Sequence, residues 1–158
     1  MSIVLHGVAA GKGIAIGHAH LITRGTTEVP QYDIDPDKLD AEVARFDNAI
    51  KATRKELEQL RGAIPENAPT ELGAFISLHL MLLTDVTLSR EPIDILREQK
   101  INAEWALKQQ SDKLAAQFDS IDDDYLRERK QDMLQVVRRI HNNLVGQSNE
   151  INLAGNLF

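Results

Sequence analysis

The chain has no cysteine and few aromatic residues, and each of these features limits the structures and the chemistry that are open to it. Without Cys among its 158 residues, it can form neither disulfide bonds nor thiolate sites. One Trp, two Tyr and four Phe are its only aromatic residues, so we expect a core built mainly from Leu, Ile, Val and Ala. No apolar run approaches the roughly 20 residues of a membrane-spanning helix, which predicts a protein outside the membrane.

The chain also lacks an excess of basic charge. Its 18 Lys and Arg residues are outnumbered by 24 Asp and Glu, for a formal net charge of −6. A nucleic-acid surface needs a basic patch, and none is visible in the sequence, so we expect no nucleic-acid partner. A negative charge suits a basic protein partner, although it can simply serve solubility. Because the chain starts Met-Ser-Ile-Val-Leu, with no basic region ahead of an apolar block, we expect a cytoplasmic protein.

The first thirty residues predict a β-hairpin. Residues 3–5 and 14–16 are apolar and suited to strands, and Gly7, Gly11 and Gly13 supply the backbone freedom that the turn between them needs. A hairpin alone is marginally stable in water. We therefore expect it to belong to a sheet that the chain resumes at residues 151–158.

From Asp35 onward the pattern becomes helical. Asp35 is a suitable N-cap, Pro36 a suitable first helical residue, and Gly62 a suitable end. Steps of three and four residues between apolar positions predict a helix that lies nearly antiparallel to its neighbours. These positions are Leu39, Val43, Phe46, Ile50, Thr53, Leu57 and Leu60. Glu42 and Arg45 are predicted to lie on the solvent side of this helix.

Four further helices are predicted downstream. The second spans about residues 70–84 and is apolar around most of its circumference. A short third helix opens at Pro92, a fourth is capped by Asn102, and the last runs over about residues 122–146. Several long helices with short connections predict a mainly α fold, a bundle of paired antiparallel helices.

Acidic residues cluster between the fourth and last predicted helices, at Asp119 and at positions 122–124. Their spacing lacks the Gly and the Glu of an EF-hand calcium loop. Acids also gather at helix N-termini, where the helix dipole stabilises them. We favour this second interpretation.

His79 lies in the middle of the second predicted helix, and two interpretations of it stay open. It can be a core histidine that bonds to a neighbour, or it can lie at the edge of a partner-binding patch. The patch follows from spacing: Leu78, Met81, Leu82 and Asp85 share one side of a helix that is too apolar to need only one buried face.

Three separated blocks carry a family resemblance. The first is Gly7-Val8-Ala9-Ala10-Gly11-Lys12-Gly13-Ile14-Ala15-Ile16-Gly17, the second His79-Leu80-Met81-Leu82-Leu83-Thr84-Asp85, and the third covers residues 122–129 with Asp132 following. In order and spacing they resemble enzyme I, the phosphoenolpyruvate–protein phosphotransferase of the bacterial sugar phosphotransferase system. Its opening turn reads Gly-x-x-Ala-Ser-Pro-Gly-Ile-Ala-x-Gly, and here Gly11-Lys12 replaces the Ser-Pro.

The resemblance implies three parts. Residues 1–30 would be the N-terminal hairpin of an α/β phosphohistidine domain that the chain contains only in part. Residues 31–146 would be an inserted helical domain that binds the phosphocarrier HPr, and residues 147–158 the start of the return into the α/β domain.

It also implies a reaction, in which an enzyme histidine takes the phosphoryl group from phosphoenolpyruvate and passes it to HPr for sugar uptake. Phosphoenolpyruvate and Mg²⁺ bind in a separate barrel, so we expect no cofactor in this chain. None of its five histidines can be assigned the phosphorylated position, so no catalytic residue is assigned and the chain alone is expected to be inactive. The full enzyme is expected to be a homodimer and this chain a monomer.

Carried over by position, the resemblance implies an HPr-binding surface on the second helix and the later ones. It comprises Glu71, His79, Met81, Leu82, Asp85, Leu88, Phe118, Leu126 and Arg129. Thr84, Val86 and Thr87 stand where the family usually has acids, which weakens the electrostatic steering that we expect.

Two alternatives stay open. One is a free-standing helical adaptor or regulator that performs no phosphotransfer, which we expect if the coding sequence stops after residue 158. The other is a related phosphoenolpyruvate-using enzyme, such as the nitrogen-system paralogue or a pyruvate-dikinase type. The paralogue usually carries a sensory domain before the hairpin, whereas this hairpin begins at residue 3, so we rank it third.

Overall fold

A computed structural model of the chain describes residue 4 and residues 6–8, 11–14, 16–18 and 28–146. Five helices of nine or more residues and one short helix make up most of that part, so the predicted mainly α fold is confirmed. They are α1 (Leu39–Gly62), α2 (Thr70–Thr84), α3 (Val86–Ser89), α4 (Glu91–Gln99), α5 (Ala103–Asp119) and α6 (Asp124–Val145). Of the predicted strands 3–5 and 14–16, residues 4, 14 and 16 are described and none of them is in a strand, while the other residues of both strands and the whole returning strand lie outside the described residues.

Helix α1 is the longest element and contacts α2, α4, α5 and α6. Its buried side chains, Phe46, Ala49, Ile50, Thr53 and Leu57, follow the predicted stripe, whereas Leu60 at its end is exposed. The start differs from the prediction. Asp35 makes no side-chain cap; a 3-10 turn, Pro36–Lys38, precedes the α-helix instead. Gly62 is the last helical residue, as predicted.

Helix α2 has the predicted bounds but buries little of its apolar surface. Only Ile76, His79 and Leu83 are fully buried. The helix stops where Asp85 adopts an extended backbone, with φ −63° and ψ 138°, and the chain restarts as α3 after that corner. In the described part no single helix is long and apolar enough to cross a membrane. Helix α2 and the segment Val86–Gln99 reach the length and composition of a span only when taken together, and they are bent by 62° relative to each other.

Helices α4, α5 and α6 complete the bundle. Helix α4 ends at Lys100 in the left-handed conformation, with φ 53°, and α6 ends at Gly146, with φ 71°. The second position suits Gly, which has no Cβ to oppose a positive φ. Helix α6 buries a stripe of Met133, Val136, Ile140 and Leu144, against α1 and α5. Each such side chain stabilises the fold by ~1.5–3 kcal/mol relative to leaving it exposed.

A buried polar network, which we call the base cluster, joins the starts of α1 and α5. It consists of Glu42, Arg45, Asn102 and Glu104. Arg45 donates to both carboxylate oxygens of Glu104 at 2.7 Å and to Oε1 of Glu42 at 2.6 Å. It also donates to the carbonyl of Leu144 at 2.9 Å, which ties in the end of α6. The prediction that Glu42 and Arg45 face solvent was wrong, because Glu104 across the bundle pairs with Arg45, while Glu42 pairs with Arg45 and accepts from the Ala103 amide.

Asn102 has the predicted position before α5 but a different role. Its side chain makes no cap; Nδ2 donates to the carbonyl of Pro30 at 2.9 Å and to Glu104 at 3.0 Å, and Oδ1 accepts from the Tyr32 amide at 3.0 Å. The base cluster therefore fixes the segment that leads into the bundle. Burial acts to raise the pKa of Glu104, but the hydrogen bonds from Arg45 prevail and hold it below the usual value.

Candidate functional site

Among the apolar side chains of α2 that the bundle leaves at least partly uncovered are Phe75, Met81 and Leu82, and we call these three the front of α2. Met81 is 62% exposed and Phe75 39% exposed, while Leu82 is partly buried against the core. A helix in a globular bundle normally turns one apolar stripe inward and a polar face outward. Exposed apolar surface beyond that stripe marks an interaction site when it forms a patch.

His79 and Leu88 do not lie on that surface. Each is 1% exposed, so the prediction that His79 sits at the edge of the patch was wrong, and Leu88, which the resemblance assigned to the HPr-binding surface, is likewise enclosed by the bundle. The physical reason is helical phase: His79 points into the bundle with Ile76 and Leu83, and Leu88 is the buried residue of α3. His79 instead supports the patch from beneath, with its ring centroid 4.2 Å from that of Phe75.

A chain of side chains joins α2 to the first turns of α6. Nε2 of His79 lies 3.7 Å from Asp132 Oδ1, which is too long for a hydrogen bond. The other oxygen of Asp132 lies 3.8 Å from Arg129 Nη1. The Arg129 guanidinium lies 4.7 Å from the ring centre of Tyr125 in a cation–π contact. Arg129 thereby lies close to Asp132, which in turn lies beside His79 of α2.

The electrostatic state of His79 follows from its burial. Desolvation lowers its pKa, more strongly than nearby Asp132 raises it, and Arg139 adds to the lowering. Neither ring nitrogen has a hydrogen-bond partner in the described part of the chain. The interpretation of His79 as a core histidine satisfied by a neighbour is therefore half right: it is a core residue, and its ring is not satisfied.

Carboxylates flank the apolar front. Glu71 is exposed in the first turn of α2. Asp85, also exposed, caps α3 by accepting from the Thr87 amide at 2.9 Å and from the Thr87 hydroxyl at 2.7 Å. These bonds lower the pKa of Asp85, so its carboxylate stays charged. The corner between α2 and α3 thus presents Met81 next to a fixed negative charge.

The acids before α6 have structural roles. Asp123 caps the helix by accepting from the amides of Tyr125 at 2.8 Å and Leu126 at 3.3 Å. Arg127 pairs with the two neighbouring acids at positions 122 and 124, and Lys130 pairs with Asp119. The interpretation as acids at a helix N-terminus is confirmed for residues 122–124, whereas Asp119 is the last residue of α5. Among the described residues, no three His, Cys, Asp or Glu side chains come together as metal ligands.

Comparison with known proteins decides the family. Residues 6–129 match the family described as PEP-utilising enzyme, N-terminal. The chain belongs to this family.

The curated relatives of this family member are phosphoenolpyruvate-protein phosphotransferases. That of Cupriavidus necator is 48% identical over 92% of the chain, and that of Bacillus subtilis is 34% identical over 90%. In both cases the chain spans about a quarter of the relative's length, 25%.

Two solved structures at 27% identity share its fold. A solution structure of Enzyme I (nEIt) has a TM-score of 0.71 over 78% of this chain and 50% of that one, and the N-terminal domain of Enzyme 1 - Nitrogen has 0.67 over 77% and 50%. The resemblance to enzyme I is confirmed.

Met81, Leu82 and Asp85 lie on α2 and at its end, while Asp132 links Arg129 to His79 on the buried side of that helix. That these residues form one HPr-binding surface stays a prediction. The remaining members differ in exposure: Glu71 is exposed on the first turn of α2, whereas Phe118 and Leu126 are partly buried.

Sequence reasoning missed two exposed apolar residues next to Leu126. Tyr125 is 59% exposed and Ile121 53% exposed, at the start of α6 and just before it. Spacing could have indicated Tyr125, because it falls outside the buried stripe of α6.

Proposed function

We propose that the chain is the N-terminal part of a phosphoenolpyruvate–protein phosphotransferase and that it supplies the surface on which HPr docks. This docking surface consists of Glu71, Phe75, Met81, Leu82, Asp85, Tyr125, Leu126 and Arg129. The observation that carries the proposal is the exposed apolar front of α2, with Met81 62% exposed, in a chain of this family.

The chemistry of the surface fits such a partner. Apolar side chains around Met81 supply contact area, and a flexible thioether adapts to the shape of the partner. The ionised Asp85 and the exposed Glu71 at the rim favour a partner that is apolar in the middle and basic at its edge. Charges at a rim mainly accelerate encounter and set orientation.

The rest of the reaction lies with residues elsewhere in the enzyme. In this proposal, phosphoenolpyruvate and Mg²⁺ bind in a separate part, an enzyme histidine outside this chain carries the phosphoryl group to HPr, and the pathway serves sugar uptake. The same proposal makes the protein cytoplasmic, the full enzyme a homodimer, and the 158-residue chain an inactive monomer. For the described residues the role is to bind and orient the partner.

A titration of isotope-labelled chain with HPr, followed by NMR, tests the docking surface. We expect amide shifts to concentrate on residues 71–88 and 118–132. Met81→Asp should weaken binding by about tenfold or more, because it places a charge where apolar contact forms. Val145→Asp, at the other end of α6 and 46% exposed, is the matched control and should change affinity less than twofold.

Two results would contradict the proposal. One is a flat titration at millimolar HPr. The other is an equal loss of affinity in both variants, which would mean that added negative charge, and not the position of Met81, weakens binding. Helicity measured by circular dichroism should be the same in all three proteins, since both positions are solvent-exposed.

A further inference from the structure

A second surface feature lies where α1 passes the corner between α2 and α4. It is a groove with a volume of about 350 Å³, a size in the range of small-molecule sites. Helix α1 forms one wall and the corner around α3 the other. The two walls come from segments more than thirty residues apart in the sequence, so only the packed bundle creates the groove.

Three cations line this groove although the chain as a whole is acidic. Lys51 and Arg54 come from α1, and Arg90 precedes α4. None of the three forms an ion pair with another residue of the described part. Unpaired cations gathered around a cavity favour binding of an anion.

The rest of the lining limits which anion fits. Asp47 contributes one carboxylate, so three cations and one anion leave a net charge of +2. The hydroxyls of Thr84 and Ser89 donate to backbone carbonyls of their own turns, which leaves the cations as the available donors. Ile50 and Val86 complete the groove with apolar surface.

We propose that this groove binds a small phosphate monoester as its dianion. A guanidinium fork and an ammonium group supply charge-assisted hydrogen bonds to phosphate oxygens, and the net charge of the lining matches the two negative charges of the ester. The apolar side chains give the organic group of the ester a place to pack. The groove adjoins the proposed docking surface, because its lining residues Thr84 and Val86 flank Asp85, but the proposal does not depend on HPr binding.

A titration of the labelled 158-residue chain with phenyl phosphate and with inorganic phosphate, at a constant ionic strength of about 0.15 M, tests the site. We expect amide shifts centred on residues 50–54 and 84–90, with phenyl phosphate the tighter ligand. The double variant Lys51→Gln with Arg90→Gln should weaken phenyl phosphate by about tenfold or more, because two charge-assisted bonds are lost. Both side chains are exposed, so the fold should not change.

The matched control is Lys55→Gln with Arg61→Gln, which removes two exposed cations of α1 that do not line the groove. It should change the affinity less than twofold. An equal loss in the control, or shifts spread over all Lys and Arg residues, would overturn the proposal in favour of non-specific ion attraction. Tighter binding of an oligo-glutamate peptide than of phenyl phosphate would also overturn it, because the groove would then recognise an acidic protein segment.

Discussion

Buried polar atoms are hydrogen-bonded in the base cluster, whereas those beneath the docking surface have no partner among the described residues. At the base, Arg45, Glu104 and Asn102 bond to one another and to the backbone. Under the docking surface, both ring nitrogens of His79 are buried without a partner among the described residues. Above it, Met81 is left exposed to water. Fifteen residues of α6 separate Arg129 from the Leu144 carbonyl, a distance of about 22 Å along the helix.

This difference distinguishes the base cluster, which stabilises the fold, from the docking surface, which we propose binds a partner. A buried polar group costs free energy unless it is bonded, and the base cluster meets that condition. On the α2 side this condition is not met for the ring nitrogens of His79, and apolar area stays exposed to water. Both features lower the stability of the fold and add no internal contact. Local violations of this kind are expected where a surface serves binding.

The largest effect is expected at the base. Arg45→Met leaves the Glu104 carboxylate buried without its partner, and we expect the free energy of unfolding to fall by about 3 kcal/mol. Urea denaturation measures it. Adding Glu104→Gln should recover at least half of the loss, because the uncompensated charge is removed. Lys55→Met, an exposed cation on the same helix, should stay within about 0.5 kcal/mol of wild type; an equal fall there would contradict the importance of the base cluster.

The opposite sign is expected under the docking surface. His79→Leu removes two buried nitrogens that have no described partner, so we expect the free energy of unfolding to rise by about 1 kcal/mol. The measurement is again urea denaturation, at pH 7.5. A loss of more than 1 kcal/mol would show that the imidazole makes a hydrogen bond in solution, and the contrast between the two regions would disappear.

A smaller effect appears as pH dependence. Burial lowers the pKa of His79 and of His141 in the folded chain, whereas an unfolded His titrates near 6.5. Just below that value the unfolded chain binds more protons than the folded one, so stability falls as the pH drops from 7.5 to 5.5. Each histidine contributes at most about 1.4 kcal/mol per pH unit.

Measuring the pH dependence of the free energy of unfolding in a variant shows which histidine causes it. His79→Leu should reduce this dependence to the part that His141 contributes. Staying above pH 5.5 keeps the carboxylates with lowered pKa, Asp85 and Glu104, charged throughout. Equal slopes in wild type and His79→Leu would contradict the assignment.

The smallest effect on stability is expected at the front of α2. Met81→Asp, which should weaken HPr binding, should change the free energy of unfolding by no more than about 0.5 kcal/mol, because the side chain is largely in water. Leu83→Asp, two residues along and buried, is the contrasting control and should unfold the chain. A large loss in Met81→Asp would mean that Met81 belongs to the core.

The sequence predicted the helices well and the polar contacts poorly. Spacing predicted the α1 stripe through Phe46 and Leu57 and the bounds of α2, because helix periodicity is local. It did not predict that Arg45 turns inward, since its partner Glu104 lies 59 residues away. It did not reveal the short α3 either, which starts at a corner capped by Asp85.

The docking surface shows the same division. Periodicity correctly indicated that α2 has more apolar surface than one buried face needs, and Met81 lies on the exposed side. The resemblance also named His79 and Leu88, which the bundle encloses. Spacing alone leaves the phase of the helix against its neighbours open, because α2 has two apolar sides and either could face inward.

By itself, the sequence determined the helical class, the bounds of the long helices and the family, since these depend on local periodicity, capping residues and ordered motifs. Only the tertiary structure decided which side of α2 is covered, which charges pair at the base, and that Lys51, Arg54 and Arg90 line one groove. The physical reason is that burial and ion pairing depend on residues far apart in the chain, and only the packing of the helices brings these residues together.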